Sequence, residues 1–327
     1  MTSSSFSICR CLFLSAAVLA LMSAARAEDK FPVRPIKIVV GSEAGSAPDA
    51  IARALASEMG PLLGQSVVVE NRPGAAGTLG AAAVTSASAD GYSVLMGTIS
   101  NIALAPSFYP ALKYDPNKSF TPIGLVASVP LVLVTSPAFQ TPDLRQFTDK
   151  LKKTNPVSYS SPGVGGPQHL AGVLLQRQLG VTALHVPYKS GGAAVTAVIA
   201  GEVQFAFVGI PVAAPLVAGK RLVPVIVTSA KRSSVMPDVP SGAEADLRGF
   251  EIDNWHALLA PAGLPAPVRA ALENALQGAL KSPAVKEQFR KLGADPAPGT
   301  GKQLEAYIAA ETERWSKFVT ENRIKAE

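Results

Sequence analysis

Cysteine is almost absent from this chain of 327 residues: the only two, Cys9 and Cys11, lie near its start. The remainder has no thiolate chemistry and no disulfide, and a chain this long buries a core without such staples. Histidine is nearly as scarce. His169, His185 and His256 are scattered, and without cysteine beside them they argue against a zinc site. The nucleophile elbow G-x-S-x-G, the phosphate loop G-x-x-x-x-G-K-[ST] and the metalloprotease motif H-E-x-x-H are all missing. The glycine run from Gly163 to Gln168 fails as a dinucleotide fingerprint, because Gln168 stands where the third glycine belongs. Cofactors are therefore not expected. There is no basic stripe either, which argues against nucleic acid in an exported protein, and no second apolar run approaches a membrane span.

What is present begins with the leader. Arg10 precedes "CLFLSAAVLALMSAA", which ends in Ala25-Arg26-Ala27. This is the charged region, apolar core and small-residue cleavage site of a secretory signal peptide, here residues 1–27. The run is shorter than the ~20 apolar residues of a membrane span, although a weakly charged start leaves a retained anchor as the alternative. No cysteine sits at the cleavage site to take a lipid. The formal charge is +6, and removing Arg10 and Arg26 leaves +4, spread without blocks. Mild basicity of this kind aids solubility and attracts small anions.

Along the mature chain, short apolar runs alternate with helical patterns. "IKIVV", "SVVVEN", "SVLMG", "LVLVTS", "VSYSS", "ALHVPY", "VQFAFVG" and "LVPVIVTS" read as strands. "DAIARALASEM", residues 77–87, "NIALAPSFY", residues 167–179, "AAVTAVIA" and most of the last 60 or so residues read as helices. "TPDLRQFTDKLKK" reads as a helix capped by Thr141 with Pro142 at its first position. The alternation indicates α/β architecture with largely parallel sheets. The length favours two domains, and the lack of a linker implies that the chain crosses between them more than once. We place domain 1 at residues 28–128 plus 250–327 and domain 2 at 129–249.

Four glycine-rich segments lie between a strand and a helix: 41–49 "GSEAGSAPD", 73–80 "PGAAGTLG", 160–169 "SSPGVGGPQH" and 187–194 "PYKSGGAA". Backbone N–H groups at helix starts bind anions, helped by the helix dipole, and ligands in such folds sit beyond the carboxyl ends of the strands. One such loop is commonly just a turn, whereas four point to a shared cleft. The side chains within them are open to two readings. Asp49 is an acid/base candidate or, more simply, the cap of its helix. Glu43 points to solvent or meets a polar ligand. His169 touches a ligand or caps its own helix, and His185 reads as a packed strand residue. Arg53, Arg72 and Lys189 read as solvated surface charges.

The order and spacing of "RPIKIVV", "GSEAGSAPDAIAR", "GQSVVVENRPGAAGTLGA", "YDPNKSFTPIGLVA", "SYSSPGVGGPQHLAG", "HVPYKSGGAA" and "WHALLAPAGLPAPV" carry a resemblance over nearly the whole mature chain. The chain resembles the Bug family of periplasmic solute-binding proteins, the extracytoplasmic component of tripartite tricarboxylate transporters. The resemblance implies a two-domain type II periplasmic-binding fold, each domain a mostly parallel sheet flanked by helices, with crossing hinge strands. It also implies a monomer that closes on a small organic solute with at least one carboxylate, then docks on membrane permease subunits or on a sensor domain. The carboxylate is held by backbone N–H groups and ordered water. Carried onto this chain, the ligand-binding set is Ser42, Glu43, Ala44, Gly45, Ala47 and Asp49 in the first loop, and Ser100 after the third strand. The other half supplies Ser161, Gly163, Gly165 and His169, then Gly191, Gly192, Ala193 and Val208.

The departures from the family are local. Its first loop reads near P-F-A-P-G-G-S-T-D. Here Ser42 replaces the aromatic residue, Pro48 removes a backbone donor, and Glu43 replaces a small apolar residue. An acid common in the family after "F-x-F" is Val208 here. If Glu43 faces the cleft, it repels a ligand carboxylate and favours an amine, amide or hydroxyl. The rival function is a secreted hydrolase with Glu43 or His169 as base; the absent nucleophile patterns argue against it.

Overall fold

The structure is a computed structural model describing residues 31–325, apart from residues 140, 142 and 248. The signal peptide and Pro142 lie outside the described residues. The first sheet opens with β1 (Ile36–Val40), followed by α1 (Ala47–Leu63), β2 (Val67–Asn71), α2 (Thr78–Thr85) and β3 (Ser93–Thr98). β1 is apolar almost throughout and buried, as a strand covered on both faces must be. A π-helical turn at Ser100–Leu104 leads into α3 (Ala105–Phe108), then β4 (Phe120–Ser128).

Two residues later the chain enters a second sheet. It contains β5 (Leu131–Thr135), α4 (Leu144–Lys153), β6 (Ser158–Ser161), α5 (Pro167–Leu179), β7 (Leu184–Pro187), α6 (Gly191–Ala200), β8 (Phe205–Gly209), α7 (Ile210–Ala218) and β9 (Val223–Val227). The chain then returns to the first sheet through β10 (His256–Pro261), α8 (Ala266–Lys281), α9 (Pro283–Lys291), β11 (Asp295–Pro296) and α10 (Gly301–Glu321).

The sheet orders are β11-β4-β10-β3-β1-β2 and β7-β6-β8-β5-β9. β1 to β4 share one direction and β6 to β9 share another, so each sheet is mostly parallel. Each sheet also holds a strand that runs against both neighbours: β10 between β3 and β4, and β5 between β8 and β9. These are the strands the chain enters on crossing. The two crossings lie side by side. Pro130 bridges Asp253, Asn254 N donates to Val129 O at 3.3 Å, and Leu131 N donates to Thr228 Oγ1 at 2.9 Å.

Three apolar clusters hold this arrangement. One joins both sheets, from Leu95 and Trp315 to Leu133, Phe205 and Trp255. A second lies under α1 and α8 with Ile38, Ile51, Leu55 and Leu276, and a third under α6 and α7 with Val132, Val198 and Ile210. Each fully buried Leu or Ile contributes about 1.5–3 kcal/mol of transfer free energy, and these clusters outweigh any single polar contact.

Two expected caps are corrected. Asp143, not Thr141, caps α4: its carboxylate accepts Gln146 N–H at 2.8 Å, while Thr141 is buried with its hydroxyl 3.3 Å from that of Thr135. A carboxylate is the stronger acceptor at this position and also faces the helix dipole. Asp49 is not the cap of α1, which starts at Ala47 with Ser46 as its flanking residue. Asp49 lies in the first turn and reaches back to the preceding loop.

Candidate functional site

Four helices begin where strands end. α1 follows β1, α5 follows β6, α6 follows β7 and α7 follows β8. All four starts converge on one cavity of about 810 Å³ between the two sheets. Gly45, Ala47 and Ala50 line it from one side, and Gln168, Gly191, Gly192, Gly209, Pro211 and Val212 from the other. Two smaller cavities adjoin it. One of about 360 Å³ shares Asn254 with it and is lined by Ser42, Glu43, Gly74, Gly77, Ser100 and Asn101. One of about 140 Å³ shares Pro162 with the first and Ser100 with the second, and adds Gly163, Gly165 and Phe108. All four glycine-rich loops thus face one continuous cleft.

The converging helix N-termini place unpaired N–H groups and positive dipole ends around this space. Proline at the starts of α1, α5 and α7 removes a donor from each. α6 has none, and Gly191 and Gly192 are exposed at its first turn. Its cap, Ser190, accepts the N–H groups of Ala193 and Ala194, while the two glycines, which line the cavity, give no N–H to the cap. Of the four helix starts, that of α6 is the one without a proline, so its first turn has the most backbone donors to offer an anion.

Close backbone approach explains the first two loops. A Cβ on Gly41 would lie 2.6 Å from Gly77 Cα, so the two loops touch main chain to main chain. Behind them Asn101 is buried and accepts the N–H of Thr98 at 2.7 Å.

Of the residues expected in the site, Ser42, Glu43, Gly45, Ala47, Ser100, Gly163, Gly165, Gly191, Gly192 and Val208 line the cleft. The other five lie behind or beside it. Asp49 is buried and holds the loop from beneath, accepting Gly45 N–H at 2.9 Å, Arg53 Nε–H at 3.0 Å and Asn71 Nδ2–H at 3.0 Å. Burial alone would raise its pKa, but these hydrogen bonds together hold it below the usual carboxylate range. His169 is buried and its Nδ1 accepts Gly165 N–H at 3.1 Å, so it braces its own loop. Burial, and next the neighbouring His185, push its pKa down to about 4, so the ring is neutral at pH 7. Ala193 gives its N–H to the helix cap, and Ala44 is exposed in the loop without lining a cavity.

Ser161 is fully buried, with its Oγ 2.6 Å from His185 Nε2. A serine beside a histidine is the pairing of a nucleophile and its base. Here, however, the hydroxyl is enclosed beneath the loop, and among the described residues no carboxylate bonds to His185 to orient it. The pair holds the turn at Gly163, whose N–H donates to Ser161 Oγ at 3.2 Å and whose carbonyl accepts from it at 2.8 Å.

Sequence reasoning missed Asn254, Asn101, Gln168, Phe207 and Ala76 in the lining. Asn254 is the most consequential, because it joins the two larger cavities. Nothing local distinguishes it except that it precedes the buried Trp255.

The family model described as tripartite tricarboxylate transporter family receptor matches residues 51–324. A UPF0065 protein of Agrobacterium vitis, from the TAR-I ttuE-ttuC' intergenic region, is 37% identical over 301 residues, covering 91% of this chain and 87% of its own length. Among solved structures, the periplasmic binding protein BugD is 33% identical with a TM-score of 0.76, covering 91% of this chain and 100% of its own. MatC from Rhodopseudomonas palustris, with bound malate, is 32% identical with a TM-score of 0.74, covering 88% and 100%.

Proposed function

The chain belongs to the family of tripartite tricarboxylate transporter receptors, solute-binding proteins rather than enzymes, and from that premise we propose that it captures a small organic carboxylate in the cleft between its two sheets and delivers it to a membrane permease of that transporter type. Residues 28–128 with 250–327 form one jaw and residues 129–249 the other. The jaws close about the side-by-side crossings, and a ligand that touches both favours the closed state. The chain works in the periplasm after its leader is removed, as family members do.

One observation carries this reading: four helix N-termini from both sheets meet at one cavity that, among the described residues, has no cationic residue in its lining. A carboxylate is among the anionic groups that such a site stabilises without a counter-charge. The malate held by MatC is of this chemical kind.

Thermal unfolding against a panel of carboxylates tests the reading. A ligand at ~100 times its Kd stabilises the fold by about 2.7 kcal/mol, and native mass spectrometry then finds it bound and unchanged. Gly191→Leu is the matching variant. A Cβ there meets nothing within 4 Å, so the protein folds normally while the added side chain fills the cavity. Wild-type protein that responds to no carboxylate, or a Gly191→Leu variant that binds as well as wild type, would sink the reading.

A further inference from the structure

Among the described residues that line the three adjoining cavities, one is charged, and it is acidic: Glu43. The nearby ionic groups are committed elsewhere. Arg53 pairs with Asp49, and Arg72 pairs with Glu70. Lys189 is exposed and lines none of the three. Glu43, by contrast, has no ion-pair or hydrogen-bond partner for its carboxylate among the described residues; only its backbone carbonyl is engaged, by Ser46 N–H at 3.2 Å.

The anion site and Glu43 occupy different compartments. Gly191 and Gly192 line the larger cavity, Glu43 lines the smaller, and the two meet at Asn254. Between them the larger cavity has apolar walls, from Val129, Leu131, Phe207, Val208 and Val212. A ligand spanning the cleft therefore meets backbone donors at one end, hydrocarbon in the middle and an unpaired carboxylate at the other end. A second ligand carboxylate would lie beside Glu43 with no cation to separate them. An ammonium would find its only charged partner there, in a cleft where closure lowers the dielectric and strengthens the pairing.

We propose that Glu43 selects the ligand class: an ω-amino acid, with its carboxylate at the α6 N-terminus, its methylene chain along Val208 and its ammonium against Glu43. This rests on the capture reading above and narrows it, since it excludes both the tricarboxylates of the family name and dicarboxylates such as the malate held by MatC.

The test is isothermal titration at pH 7 with two length-matched series. Glutarate and adipate form one; 5-aminopentanoate and 6-aminohexanoate form the other. Wild type is expected to bind an ω-amino acid at least about tenfold more tightly than the diacid of equal length. Glu43→Gln removes that preference and Glu43→Lys reverses it, both with the wild-type Tm, because the side chain is exposed and unpaired. Wild type that prefers the diacid, or a preference that survives Glu43→Gln, overturns the proposal while leaving carboxylate capture intact. If wild type binds neither series but does bind another carboxylate from the thermal panel, the proposal falls alone. Absence of any carboxylate binding removes both.

Discussion

Asp253 and Asn254 are neighbours in the chain, yet they face two cavities of opposite chemistry. Asn254 lines the cleft, where Glu43 is the one charged residue in the lining among the described residues. Asp253 looks to the rear of the crossings, into a cavity of about 520 Å³ lined also by Arg232, Glu251, Asp295, Glu311 and Arg314. Successive residues of extended chain point to opposite faces, so one segment serves both. At the rear the charges satisfy one another and the backbone. Buried Glu311 accepts Trp315 Nε1–H at 2.9 Å and Trp255 Nε1–H at 3.4 Å, and pairs with Arg314 at 3.2 Å. Arg314 in turn donates to the carbonyl of Glu251 at 2.6 Å. Side-chain charge fixes the crossings, whereas the cleft relies on main-chain dipoles and leaves charge for the ligand to bring.

The contrast can be broken hardest from the rear. Glu311→Ala leaves two buried indole N–H groups without this acceptor and Arg314 without its carboxylate partner, although Arg314 keeps the Glu251 carbonyl, and is expected to cost about 3–5 kcal/mol. Urea unfolding would register the loss, while carboxylate affinity of the folded fraction stays within about twofold. Unchanged stability would mean that the rear charges hold nothing.

Acid separates the two faces by sign. Beneath the cleft loop, His169 has its pKa lowered to about 4, below its unfolded value of 6.5. Its contribution is complete above pH 6.5 and is lost as pH falls toward about 4, a change of about 3 kcal/mol. At the rear, Asp253 is raised to about 6, chiefly by burial and then by Glu311 and Asp295, against hydrogen bonds from Ser128 and Val129 that lower it. Its protonated form suits the fold, so it adds stability as pH falls from about 6 toward 3.8 and opposes the histidine. His169→Gln should therefore flatten the acid loss and Asp253→Asn should steepen it, read as denaturation midpoints from pH 7 to pH 4. Slopes changing in the same direction in both variants would contradict the assignment.

The smallest effect on stability sharpens the cleft side. Gly41→Ala forces the first two loops apart and is expected to cost about 1–3 kcal/mol. Unlike Glu311→Ala, it should also weaken carboxylate binding well beyond its effect on folding. Equal affinity in the variant would show that the loop spacing is not part of the site.

Much of this was legible locally. The eight strands read from apolar runs are present, because buried parallel strands are continuous apolar segments bounded by turns, and so are the helices that were read; α7, between β8 and β9, was not read. β4 and β10 were not read, and they are the strands on either side of the crossings. β4 contains Pro122 and Gly124, residue types that weaken a strand signal. In the sheet they sit where the register with β10 shifts, and a Cβ on Gly124 would lie 2.9 Å from the carbonyl of Gly299. β10 is buried along its whole length and shows no alternation to count. Asp49 and Thr141 looked like caps because their types suit caps. Asp49 is instead claimed by Arg53 and Asn71, and Thr141 is displaced by Asp143, whose carboxylate reaches Gln146 N–H.

The sequence by itself determined the α/β class, the glycine-rich strand ends and the scarcity of reactive side chains, because these depend on residue type and spacing over a few turns. Only the tertiary structure decided which loop residues line the cleft. Glu43 and Asp49 are carboxylates of one loop, six residues apart, yet one lines the cleft without a partner and the other is buried beneath it. That difference arises from Asn71, brought alongside by β2, and from Arg53 one helical turn on. It also required the second sheet, since Asn254 and the α6 N-terminus reach the same cleft only after the chain has crossed and returned.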